Sequence, residues 1–340
     1  MPLPDLATLD AADIHPFAAD QMVRCEACLR ANPPTRVTCL YCGGVLPVTE
    51  NSMHLQKPAL RRLETWEQGF NTILLPDKER LPAADQLREL ADFLKLKPEE
   101  FQRIVSGDRP LPVAHAATND EATLIHHRLS DLGLKTITIP DEQLLLDERQ
   151  VVRIRSATID DDQVVGYQVG GVTGVVFDRS SIALLVVGRL LRKRVEVKER
   201  KSHKAEDEIV NASEFFFDEA IVDIYGSLGS PSCRIEAGSF DFSALGSRKK
   251  LVAGENLRTL IAVIQERAPK AEVDDSYAGA RQALEPVWPV QQRTQAIGWQ
   301  RERPGKYSTS DATESSNENQ FTRYSRLQYY LKLHSSGSRQ

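Results

Sequence analysis

Cys25-Glu26-Ala27-Cys28 and Cys39-Leu40-Tyr41-Cys42 are the residues whose types and spacing together dictate a chemistry. Two Cys-x-x-Cys turns, ten residues apart, bring four thiolates within reach of one ion and make a closed tetrahedral site for Zn²⁺. Such a site keeps no open position for a substrate or an activated water, so the zinc is expected to be structural. The remaining cysteine, Cys233, stands alone, which excludes a disulfide framework. A redox role would place a single Cys-x-x-Cys at the start of a helix, and two pairs this close together do not fit it.

Other reactive side chains form no pattern. His126 and His127 are adjacent, so on a helix they point to different faces and cannot act with His115 as an i, i+4 metal pair. Gly170-Gly171-Val172-Thr173-Gly174 lacks the Gly-Lys-Ser/Thr ending and the following helix of a phosphate loop, and reads as a turn. There is no nucleophile elbow and no metal-hydrolase helix motif. The expectation is a protein that is not an enzyme and has no catalytic residues.

The elements that must hold the thiolates are short. A zinc ribbon is expected over residues 21–48, with Gly43 and Gly44 supplying the tight turn after the last thiolate. So few apolar residues lie there that the metal must contribute most of the stability, about 10 kcal/mol for a structural zinc site. The pattern Cys-x2-Cys-x3-Asn-x6-Cys-x2-Cys, with Asn32 at its centre, resembles the Ran-binding-protein-type zinc finger and, more loosely, the short zinc ribbons of many bacterial proteins. The finger family has Trp where this chain has Val23. Its ubiquitin-binding members carry Thr-Phe where this chain has Leu29-Arg30. Members that bind single-stranded RNA stack bases on an aromatic between arginines, which the resemblance would assign to Arg24, Arg30, Arg36 and Tyr41.

Around the ribbon, 340 residues predict three modules, and a net charge of -5 argues against a protein that coats nucleic acid or an anionic membrane. Residues 1–20 read as a flexible lead-in without a secretory signal, and the longest apolar run, 182–187, is far short of the ~20 residues a membrane helix needs. A cytoplasmic location with reduced thiols follows as an expectation. Residues 49–68 read as a linker with a short helix near 60–66.

Over 69–141 the periodicity predicts strand, two helices, strand, helix, strand. Its features include an apolar stripe at Ala84, Leu87, Leu90, Ala91 and Leu94 and a capping box at Thr118-Asn119-Asp120-Glu121. This βααβαβ order resembles the small sandwich of the Clp-protease adaptor ClpS and of the ribosomal stalk protein's C-terminal domain. It implies a protein-binding unit, although Pro76-Asp77-Lys78 stands where the adaptor has Asn-Asp-Asp.

From residue 147 to 270, β-branched runs separated by turn signals and closed by a helix with Leu257, Leu260, Ile261 and Ile264 resemble a pleckstrin-homology-like (PH-like) β-barrel with a C-terminal helix. Arg192, Lys193 and Arg194, in a basic run interrupted by Glu196 and Glu199, are candidates for binding nucleic-acid backbone or anionic lipid. A short helical extension is expected over 271–299 and a flexible linker over 300–319. An amphipathic helix follows over 320–334, whose seam of Phe321, Tyr324, Leu327 and Leu331, with Tyr330 beside it, docks on its own chain or binds a partner.

The fold class is therefore multidomain α+β: zinc ribbon, βααβαβ sandwich and PH-like barrel. The expected function is a zinc-binding adaptor or scaffold with a protein partner. The alternatives are a regulator binding RNA or DNA through the ribbon arginines and basic strand, and a peripheral protein on anionic lipid.

Overall fold

The structure, a computed structural model, describes residues 17–18, 21–47, 56–64, 67–77, 82–144, 152–202, 205–303 and 306–337. Most of the expected lead-in and residues 49–55 of the first expected linker lie outside the described residues. Both helices and sheets are present, as the α+β class requires, and the chain divides into two units, Met1–Thr138 and Ile139–Gln340.

In the first unit, β1 (Val23–Arg24) pairs antiparallel with β2 (Ala31–Asn32). Among the described residues, the apolar cluster beneath them is Val23, Cys25, Cys39 and Leu46, with Cys28 packed against it. Two of the four buried members are thiols, so this cluster is too small to order the ribbon by hydrophobic burial alone.

Next come β3 (Phe70–Leu74), α1 (Ala84–Phe93), α2 (Pro98–Val105), β4 (Leu111–Ala116), α3 (Asn119–Asp131) and β5 (Thr136–Pro140), with the sheet ordered β4-β3-β5. This is the element order that the periodicity predicts. Half of the expected capping box forms: the Thr118 hydroxyl accepts from the Glu121 amide at 3.2 Å, while the Glu121 carboxylate does not return to the Thr118 amide. Glu121 turns its own carboxylate to the amides of Leu60, at 2.7 Å, and Ala117, at 3.2 Å. Pinned in this way, Leu60 has a φ of 36°, and residues 60–64 are irregular where a short helix is expected.

The second unit opens with α4 (Asp141–Leu144) and continues through β6 (Val152–Arg153), β7 (Ser156–Ile159), β8 (Gln163–Tyr167), β9 (Thr173–Asp178), β10 (Ile182–Ser202), β11 (Ala205–Gly226) and β12 (Ser232–Glu236). After these come α5 (Ala253–Arg267), β13 (Glu272–Asp274), α6 (Tyr277–Leu284), β14 (Gln291–Arg303), β15 (Lys306–Ser316) and α7 (Glu318–Gly337). Over 147–270, where a PH-like barrel is expected, the strands belong to two sheets, one of which extends beyond that range. One is a β7-β8-β9 meander. The other is an open path β14-β15-β10-β11-β12-β6, with β13 parallel to the start of β10.

Strand alternation explains why the path stays open. In the inner half of β10, Leu185 pairs with Ile224 and Val187 with Val222; on β12, Cys233 and Ile235 continue the same face. That face packs on Ile154, Val164, Val175 and Phe177 around the meander and on Leu257, Leu260 and Ile264 of α5. The opposite face carries Leu184, Val186, Gly188, Tyr225, Asp223 and Arg234, and α7 covers it. A strand buried on both faces reads as a continuous apolar run, as residues 182–187 do.

Under α7 this second face is polar at its centre. Arg234 donates to both oxygens of Asp223, at 2.7 and 2.9 Å, and to the Thr322 hydroxyl at 2.9 Å. Ser325 donates to Asp223 at 2.7 Å, and Arg323 donates to Asp141 at 2.6 Å. Phe321 lies directly on Gly188, where any Cβ would strike its ring.

One expectation is corrected here, and one left open is decided. Residues 300–319 are not a linker: β14 and β15 form a hairpin whose second strand pairs with β10 from Arg192↔Ser316 to Ser202↔Lys306, and α7 follows. Backbone ladders and polar cross-strand contacts such as Thr294 to Thr313, at 3.1 Å, hold these strands. A hydrophobic-period reading cannot register a strand of that kind. In α7, Phe321, Tyr324 and Leu327 are fully buried in the chain's own core, so these three offer no face to a partner. Tyr330 and Leu331 are half-buried.

Candidate metal centre

Two backbone turns carry the thiols. After Cys25, Leu29 donates its amide to the Cys25 carbonyl at 2.8 Å with a φ of 61°, and the Cys25 amide donates to Arg30 O at 2.9 Å. After Cys39, the Gly43 amide donates to the Cys39 carbonyl at 3.0 Å with a φ of 72°, a conformation that glycine adopts without a Cβ penalty. Each turn thus presents two Sγ atoms to the space between β2 and the second turn.

The four Sγ atoms lie within 4.8 Å of one another, with Cys25 to Cys42 at 3.6 Å and Cys28 to Cys39 at 3.5 Å. Zn–S bonds of about 2.3 Å in a tetrahedron separate sulfurs by about 3.8 Å, so this donor set fits one tetrahedral divalent ion. Cys25 and Cys39 are buried, Cys28 is half-buried and Cys42 exposed, so an ion would enter from the Cys42 side.

Asn32 is the residue whose role the sequence alone does not disclose. Fully buried, it donates to Cys39 Sγ at 3.4 Å and to Arg30 O at 2.9 Å, while its Oδ1 accepts from the Leu40 amide at 2.8 Å. It therefore locks the first turn to the second and directs an N–H at a ligand sulfur. The Tyr41 amide adds another donor to Cys39 Sγ at 3.4 Å. Burial raises the Cys39 thiol, but the amides of Tyr41, Cys42 and Asn32 outweigh it and bring it down to about 6. At Cys28 the Arg30 backbone lowers the thiol, but burial and the neighbouring thiols Cys39, Cys42 and Cys25 carry it up to about 12.

Of the ribbon's other candidate residues, the structure brings Arg30 and Tyr41 together, with the guanidinium 4.7 Å from the ring centroid. Arg36 donates instead to Thr38 O at 3.2 Å, and Arg24 is exposed on β1. Leu29, Leu40, Tyr41 and Val45 are exposed at the tips around the thiols, Leu29 to 66%.

The basic strand residues meet carboxylates of their own chain. Arg192 lies 3.0 Å from Glu318 and 3.8 Å from Glu236; Lys193 pairs with Glu214; Arg194 lies 2.8 Å from Glu196 and 2.9 Å from Glu314. Cys233 is buried among apolar side chains, and burial pushes its thiol up. Among the described residues, the four ribbon thiols form the one cluster suited to holding a metal, and no helix is long and apolar enough to cross a membrane. Compared with protein-family models, curated proteins and solved structures, the chain matches none.

Proposed function

We propose that this chain is a non-catalytic, zinc-stabilised adaptor or scaffold that binds a protein partner through the rim of its ribbon. The observation that carries this reading is the closed thiol cluster with apolar tips around it. Cys25, Cys28, Cys39 and Cys42 would fill the coordination of Zn²⁺, leaving the ion no vacant position, while Leu29, Leu40, Tyr41 and Val45 remain exposed on turns that the ion would make rigid. Rigid exposed apolar and aromatic side chains are what protein recognition selects.

Elemental analysis of protein purified without added metal tests the first half: one zinc per chain is expected, with none in a Cys25→Ser, Cys42→Ser variant. Iron in place of zinc, or reactive thiols without metal, would overturn it. For the second half, Leu40→Asp with Tyr41→Ala should keep the zinc and lose retention of the partner in a pull-down that salt does not weaken.

A second reading is favoured by the Arg30 guanidinium over the Tyr41 ring, an arrangement that single-stranded nucleic acid can extend by stacking. It predicts binding of a single-stranded oligonucleotide that falls steeply with salt. For anionic lipid, the internal pairing of Arg192, Lys193 and Arg194 leaves less charge for a membrane surface.

A further inference from the structure

The outer halves of β10 and β11 and the whole of β14 and β15 form a four-stranded arm whose two long edges are uncovered. Among the described residues, β12 pairs with β11 only from Ile221 to Tyr225, and β14 pairs only with β15. Among the described residues, no strand lies against the outer edge of β11 from Ala205 to Ala220 or against that of β14. Such edges present rows of unpaired N–H and C=O groups, and proteins usually blunt them with charge, proline or cover.

Both edges are instead apolar in part. The β11 edge displays Phe215, Phe216 and Phe217, with Phe216 at 71% exposure; the β14 edge displays Ile297 and Trp299, the latter at 72%. The four strands also run level. Gln291, Ser316, Arg192 and Phe217 share one row, and the rows continue without a bulge to Ala296, Asp311, Val197 and Ala212.

We infer that copies of this chain join head to tail, β14 of one copy adding antiparallel to the outer edge of β11 of the next. Strand direction permits the join: each neighbouring pair in the arm is antiparallel, so β14 and β11 run in opposite directions, and a second arm set beside the first continues the alternation. Charge selects it. From Asn211 to Asp218 the β11 edge carries Glu214 and Asp218 and no basic residue, whereas from Gln291 to Trp299 the β14 edge carries Arg293 and no acidic one.

Two β11 edges paired about Phe216 would set Glu214 against Asp218 twice; Lys193 and Arg189 on β10 pair these carboxylates, so the repulsion that disfavours the symmetric alternative is a residual one. Continued at the same level, the head-to-tail join sets Arg293 beside Phe215 and Thr294 beside Glu214. Because the two surfaces differ, the assembly grows as a ring or a filament and does not stop at a symmetric dimer.

The test is mass against concentration for the full chain, by light scattering and sedimentation, over about a hundredfold range. The wild type should pass from monomer to species larger than a dimer. Thr294→Glu, which sets a second carboxylate against Glu214, should leave a monomer, and so should Phe215→Arg, which sets a second cation against Arg293.

Mixing the two variants should give a one-to-one dimer and nothing larger, because the mixture retains one intact edge of each kind. Amide exchange at 212–217 should slow as the wild type is concentrated. A wild type that is monomeric throughout would overturn the proposal. A dimer that persists in the Thr294→Glu chain alone would overturn it in favour of symmetric β11 pairing. Circular dichroism of each variant separates loss of assembly from loss of fold.

Discussion

Asn32 and Asp223 each stabilise something that their neighbours in sequence cannot. Asn32→Ala would remove the N–H aimed at Cys39 Sγ and the lock between the two turns, so zinc affinity should fall roughly 10- to 100-fold while saturating metal still loads one ion. Competition with a chromogenic chelator measures this. Asp223→Asn would strip the buried Arg234 guanidinium of its two-oxygen carboxylate partner and leave it only Glu318, at 3.4 Å. That change should cost about 3–5 kcal/mol in denaturant unfolding of the second unit, far more than any exposed ion pair of this chain would lose. The four thiols are legible because Cys-x-x-Cys encodes their geometry locally. Asn32 is legible as a place in that pattern but not in its role, and Asp223 not at all, because their partners Leu40 and Arg234 reach them through folding rather than through a fixed period.

At the scale of elements, legibility follows apolar periodicity. The order of β3 through β5 and the seam of α7 follow from it, and the α3 cap from a local polar motif, whereas β14 and β15 are largely polar strands ordered by their ladders, where the sequence predicts an extension and a linker. Gly188 shows how closely α7 is fitted. Gly188→Ala would force the Phe321 ring off β10 and should destabilise the second unit by about 1–3 kcal/mol, read as a lowered denaturation midpoint.

Glu318, at the start of α7, gives a pH signature. Burial raises its carboxyl, but Arg153, Arg192 and Arg234 outweigh that and hold it below the ordinary carboxylate range. Its folded value is lower than the unfolded value of about 4.3, so its contribution is complete above that pH and disappears as pH falls through the folded value. Glu318→Gln should flatten the acid side of the thermal stability profile and leave the slope near neutral pH unchanged.

At the scale of the whole molecule, each unit has its own means of staying folded. Chelation should free the amides of 21–47 to exchange, since metal ligation contributes about 10 kcal/mol in such ribbons. The exchange pattern and thermal transition of 139–340 should stay unchanged, because that unit rests on the apolar cluster around α5 and on the face under α7. Hydrogen exchange with mass detection distinguishes the two.

The same face bears on how the chain leaves the ribosome. Ser325 meets Asp223 across 102 positions and Arg323 meets Asp141 across 182. The sheet is therefore synthesised well before the helix that covers it, by roughly 5–20 s at ordinary elongation rates. During that interval an apolar face would adhere to other nascent chains. A face centred on Asp223, Arg234 and Tyr225 can instead be hydrated while it waits for α7.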